Sequence, residues 1–281
     1  MTRISIVVLS VFLTLTAQAI PLPKGPRSAV QLPSTFTQDY DFEGIVGLSN
    51  CSGSIIRFES SKDSDPAMVL TNGHCLELGM PKPGQVVTQQ PSKRTFNVLD
   101  ASGKKVGVAQ AQFILYSTMT NTDITLYKLK QTFAEIKAKM NVRPLTLSSQ
   151  HPTLNTKIEV ISGYWLRGYT CNTEAFIPEL KEDKWTCKDS IRYSRPGCEI
   201  IGGTSGSPVI EAGTRTVIGI NNTGNEDGQM CTMNNPCEVD ANGQETAVQG
   251  YSYAQQTYWI YSCLNEQNEI DLQKAGCKLY H

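Results

Sequence analysis

Charge of one sign is what this 281-residue sequence most conspicuously lacks: 25 Lys and Arg stand against 26 Asp and Glu. Without a basic excess there is no electrostatic footprint for nucleic acid or for an anionic membrane surface, so partners have to be argued from sites. After the amino-terminal segment no second long apolar run occurs, and nothing there reaches the roughly 20 residues a membrane-spanning helix needs. Internal repeats and low-complexity tracts are absent. Histidine is scarce, with His74, His151 and His281 only. CxxC pairs are missing too: Cys231 and Cys237 have five residues between them and no nearby histidine, a spacing that speaks against zinc. No metal or other cofactor is expected.

What is present begins with MTRISIVVLSVFLTLTAQA. A cationic start, an apolar run from Ile4 to Leu15 and a small-x-small site at Ala17–Ala19 read as a signal peptide over residues 1–19. All nine cysteines follow it, and disulfides are the default for a chain sent to an oxidising compartment, secreted or periplasmic. Residues 20–40 carry four prolines and little periodicity, as in an extended arm or propeptide. From Asp41 short β-type runs recur between Gly, Asn, Ser and Pro: GIVGL, GSIIRF, AMVLT, FNVLD, KVGVAQAQF, DITLYKL, KIEVISGY, SPVIEAGTRTVIGI and TAVQGYSYA. Their number and spacing imply a barrel or sandwich. Helix signals are few. Thr132 and Glu135 have capping-box spacing before IKAKM, and residues 254–262 form a second candidate. The first helix falls midway, so it can bridge two β units over 41–135 and 155–253, with 136–154 as linker and 254–281 as a carboxy-terminal helix and disulfide-bonded tail.

Three local motifs carry chemistry. His74 closes AMVLTNGHC directly after an apolar strand, where a side chain can project into a cleft; His151 sits in a turn-like SSQHPTLN and His281 at the chain end. Asp123 opens the strand-like DITLYKL, although Asp is disfavoured in strands. Ser205 lies in IGGTSGSPV, where glycines let the backbone turn tightly and let the N–H groups of Gly203 and Ser205 converge on a developing oxyanion. Serine is a weak nucleophile until a base takes its proton, and that base needs an acid to orient it. The order His, Asp, Ser excludes the hydrolase fold that runs Ser, Asp, His.

On these motifs the sequence resembles the trypsin/chymotrypsin family of serine proteases over most of residues 41–262. CSGSII followed by LTNGHC is similar to the family's paired strands beside the catalytic histidine, NTDITL to the aspartate segment, and GTSGSP to the nucleophile motif, in the form seen in the glutamyl-endopeptidase branch. VIGINNTG resembles the strand lining the specificity pocket, which implies pocket roles for Asn221, Asn222, Thr223 and Gly224, with Gly250 on the wall. The resemblance implies an all-β fold of two antiparallel six-stranded barrels with a short carboxy-terminal helix, and a secreted endopeptidase acting on protein or peptide substrates. A monomer is expected, with His74, Asp123 and Ser205 as its triad. The same residues would also serve an esterase, or stand idle in a protease-like binding module.

Departures from the family pattern matter. Thr204 stands where trypsin-like zymogens keep the aspartate that pairs with a new amino terminus. Asn221 replaces the histidine with which the glutamyl branch binds an acidic side chain, which speaks against glutamyl preference. Glu199, six residues before Ser205, suggests a preference for Arg or Lys. The resemblance pairs Cys51 with Cys75, and Cys198 with Cys231 or Cys237; proximity pairs Cys171 with Cys187 and Cys263 with Cys277, leaving Cys237 or Cys231 odd. Asn50 and Asn221 head glycosylation sequons.

Overall fold

A computed structural model describes residues 40–281; the expected signal peptide, and the arm up to residue 39, lie outside the described residues. In chain order the first half contributes β1 (Ile45–Gly47), β2 (Ser52–Arg57), β3 (Pro66–Thr71), β4 (Val86–Pro91), β5 (Thr95–Leu99), β6 (Lys105–Thr118) and β7 (Ile124–Thr132). Pairing runs β1-β5-β6-β7-β3-β2 and returns to β1, closing a six-stranded antiparallel ring, with β4 laid on β6 outside it. Closure removes the exposed edges that an open sheet would leave.

The second half contributes α1 (Phe133–Met140), β8 (Leu145–Leu147), β9 (Lys157–Ser162), β10 (Arg167–Glu182), β11 (Trp185–Tyr193), β12 (Pro208–Glu211), β13 (Thr216–Gly224), β14 (Cys237–Val239), β15 (Glu245–Thr246), β16 (Ser252–Gln256) and α2 (Trp259–Ser262). Here the ring is β13-β12-β9-β10-β11-β16, closed by β13 pairing β16. Strand β8 pairs in parallel with both β2 and β13 and so joins the two rings. Ile210, Val217 and Ile220 share one apolar cluster with Ile55, Ile56 and Leu70 of the first ring, which fixes the rings against each other by burial. Helix α1 has the expected capping box: Glu135 N–H donates to Thr132 Oγ1 at 3.2 Å, and Thr132 N–H donates to Glu135 Oε2 at 2.9 Å.

Two elements differ from the sequence reading. Of the helix expected over 254–262 only the single turn α2 forms. Residues 252–256 are a strand, because Ala254 and Gln255 pair with Asn221 and Ile220 and complete the second ring. The hairpin β10–β11 has no Asn-Gly or Gly-Gly signal at its turn. Its connection is Asp183-Lys184, with Asp183 left-handed at φ 51°, a conformation Asp tolerates better than most residues.

The disulfides are corrected as well. Cys51–Cys75 and Cys263–Cys277 form as expected, but Cys171 pairs with Cys198 and Cys231 with Cys237. Among the described residues the free cysteine is Cys187, and it is buried. Hairpin register explains why proximity along the chain misled. Cys187 lies opposite Leu180 on β10, and nine residues of strand from Leu180 back to Cys171 span about 30 Å. Cys198 instead returns over the start of β10, where Ser194 N–H donates to Asn172 O at 2.8 Å.

Candidate active site

His74 follows β3 in a tight turn. Gly73 is required there, since a Cβ on it would stand 2.1 Å from Thr118 O and 2.9 Å from Asp123 Oδ1. Asp123 sits just before β7, and its carboxylate serves the histidine twice: Oδ2 lies 2.7 Å from His74 Nδ1, and Oδ1 accepts the His74 backbone N–H at 3.0 Å. Asn72 Nδ2 donates to Asp123 O at 2.8 Å, which ties the two turns together. Asp123 is buried and His74 partly so. Burial pulls the imidazole towards neutrality, but the charge and hydrogen bond of Asp123, with the more distant charge of Glu182, outweigh it. The net effect holds His74 above the usual imidazole value.

Ser205 lies in the turn entering β12. Its carbonyl accepts Ser52 N–H at 2.8 Å, and its hydroxyl donates to Asn222 O at 3.3 Å. Gly206, left-handed at φ 79°, admits no side chain, because a Cβ would meet Ser52 O at 2.2 Å. Gly203 is left-handed too, at φ 88°. Neither the Gly203 nor the Ser205 N–H has an acceptor among the described residues. His74, Asp123 and Ser205 line one cavity of about 420 Å³.

A trypsin-like peptidase domain model matches residues 51–220, more than half of the chain. The chain belongs to the trypsin-like peptidase family. Among solved structures it is similar to the MamO protease domain from Magnetospirillum magneticum, at 13% identity and TM-score 0.48 over 81% of this chain and 98% of that one. Kallikrein-related peptidase 10 follows at 16% identity and TM-score 0.47, covering 80% and 94%, and a Glu endopeptidase at 14% and 0.43, covering 76% and 85%. No curated protein matches the sequence.

In this trypsin-like peptidase all six residues expected to shape the pocket line the same cavity as the triad candidates, but they do so differently. The Asn221 carboxamide accepts the Tyr193 hydroxyl at 3.1 Å and is buried, so Asn221 contributes backbone to the wall and its sequon is closed to a glycan in the folded chain. Glu199 is exposed, and its carboxylate accepts Gly197 N–H at 3.2 Å. It is therefore not the buried pocket-base acid that its spacing suggested. Gly250 leaves room for Arg195, whose guanidinium would lie 3.0 Å from a Cβ there.

Sequence reasoning missed the wall on the other side, which the β10–β11 hairpin supplies through Leu180, Glu182, Trp185 and Cys187. The hairpin docks on the loop carrying Asp123: Asn121 N–H donates to Thr186 O at 3.0 Å, and Lys188 N–H to Asn121 O at 2.8 Å. Glu182 accepts Asn234 N–H at 2.8 Å. Burial raises its carboxyl above the usual range, against lowering by Thr223, Asn234 and His74. Burial also pushes the Cys187 thiol well up, reinforced by the charges of Asp123 and Glu182, which keeps it from being a thiolate nucleophile.

Proposed function

We propose that this peptidase is a serine endopeptidase with Ser205 as nucleophile, His74 as base and Asp123 as the acid that orients it. The observation carrying this is the 2.7 Å contact from Asp123 to His74 Nδ1 in a cavity that Ser205 also lines. With the Nδ1 proton committed to Asp123, Nε2 is left to accept the Ser205 proton as Oγ attacks the peptide carbonyl. The tetrahedral oxyanion takes bonds from the Gly203 and Ser205 N–H groups. Its collapse breaks the C–N bond, and the amine leaves with the proton held on Nε2. Water then attacks the acyl-enzyme by the same route and frees Ser205. Secretion fits the amino-terminal signal and four disulfides; among the described residues no helix is long and apolar enough to cross a membrane.

A fluorophosphonate probe followed by peptide mass mapping tests the assignment. Phosphonylation is expected on Ser205 alone; a labelled residue elsewhere, or none, overturns it.

The raised His74 basicity sets a pH dependence. Protonated imidazole cannot accept the serine proton, so kcat/KM is expected to rise with pH through a midpoint above about 6.5, the unperturbed histidine value. Glu182 is one cause of that elevation. Glu182→Gln is therefore expected to move the acid limb to lower pH, and a profile left in place would remove Glu182 from the electrostatics of the base.

A further inference from the structure

We infer that Trp165 is a positioning residue that latches the oxyanion-binding peptide, a role that rests on the function proposed above. Residues Ile201–Thr204 form a turn closed by Thr204 N–H donating to Ile201 O at 3.2 Å, with Gly203 third at φ 88°. Positive φ at the third residue, with Gly202 in the second place outside that region, marks a type II turn, and type I differs by a flip of the central peptide. Here that peptide joins Gly202 to Gly203, two residues with no Cβ to oppose the flip. Its orientation decides where the Gly203 N–H points.

The indole settles the choice. Trp165 Nε1–H donates to Gly202 O at 2.8 Å. A trans peptide aims C=O and N–H in opposite directions, so the Gly203 N–H is turned away from the indole and stays unpaired within the described protein. The ring also lies against Gly203, where a Cβ would stand 2.8 Å from Nε1. Trp165 is itself held. Its N–H donates to Ser162 Oγ at 3.2 Å, Ser162 Oγ bonds Ser52 Oγ at 3.0 Å, and Ser52 Oγ accepts Tyr164 N–H at 3.1 Å. Ser52 N–H in turn holds the carbonyl of Ser205. Leu166, next in the chain, is left-handed at φ 51°, an uncommon conformation for a bulky residue and a sign that surrounding contacts fix this turn. The nucleophile turn is thus gripped from both sides by one hydrogen-bonded chain.

The test removes the N–H donor and keeps the ring. Trp165→Phe, and a full-length chain carrying 3-benzothienylalanine at position 165, are assayed for kcat, KM, inhibition by a peptidyl trifluoromethyl ketone and binding of a product peptide. A net hydrogen bond sets the scale, so kcat is expected to fall about five- to tenfold and ketone affinity by the same factor, with KM and product binding within about twofold. Unchanged kcat in the benzothienyl protein, or equal losses in product binding and ketone affinity, would overturn the latch. Absence of turnover and labelling in the unaltered protein would sink the proposed function instead. The latch would then still be read from the 202–203 peptide in a crystal structure of the benzothienyl protein, where a flipped peptide supports it and a retained one refutes it.

Discussion

Peptide turnover by Ser205→Ala is expected to fall on the order of a million-fold, the scale seen when the nucleophile of a working triad is removed. Alanine cannot form the acyl-enzyme, and what survives is direct attack by water assisted by the oxyanion donors and substrate binding. The fold should not change. Among the described residues the hydroxyl makes one bond, at 3.3 Å to Asn222 O, while the links that hold the turn run through backbone: Ser205 O to Ser52 N–H, and Gly206 N–H to Asn221 O at 3.0 Å. Stability is expected within about 0.5 kcal/mol of the parent, read by thermal melting, so that a million-fold loss cannot be charged to unfolding. A variant that keeps even a hundredth of the parent rate would show that another residue attacks the substrate.

The candidate site was legible where its chemistry is local. His74 and Asp123 each border a strand, and Ser205 sits among glycines whose necessity the structure explains by the close approach of Ser52 O and Thr71 Oγ1 to Gly206. What was not legible depends on long-range pairing. Nothing near Glu182 marks it as part of a cavity; it reaches one because β10 runs sixteen residues and its hairpin docks on the aspartate loop. The same register decides which cysteines meet, and neighbouring positions along a chain say little about neighbours across a hairpin. The carboxy-terminal helix forms only over Trp259–Ser262 for a related reason, since closing a ring with Ala254 and Gln255 outweighs a local helical preference in the first part of the candidate.

Thr204 was legible as a departure, and its surroundings give that departure meaning. It is fully buried, its hydroxyl has no partner among the described residues, and its carbonyl accepts the Ser207 N–H and hydroxyl. No carboxylate stands at that position, and the hydrogen bonds that hold the turn come from Ser52 N–H to Ser205 O, from Gly206 N–H to Asn221 O and from Trp165 Nε1–H to Gly202 O.

Asp123→Asn should cost about ten-thousandfold in kcat, through proton placement. The carboxylate holds two donors, the His74 backbone N–H on Oδ1 and the ring Nδ1–H on Oδ2. An asparagine has one acceptor oxygen, and the backbone N–H cannot be reversed to suit it, so the amide oxygen must stay at the Oδ1 position. The amide NH2 then faces the ring and donates to Nδ1. That forces the imidazole proton onto Nε2, where it blocks acceptance of the Ser205 proton, although every heavy atom can remain in place. Nitrogen NMR of the His74 ring separates this account from simple loss of a charge: the proton should move from Nδ1 to Nε2. A variant that is slow yet keeps the parent tautomer would leave Asp123 as an electrostatic partner only.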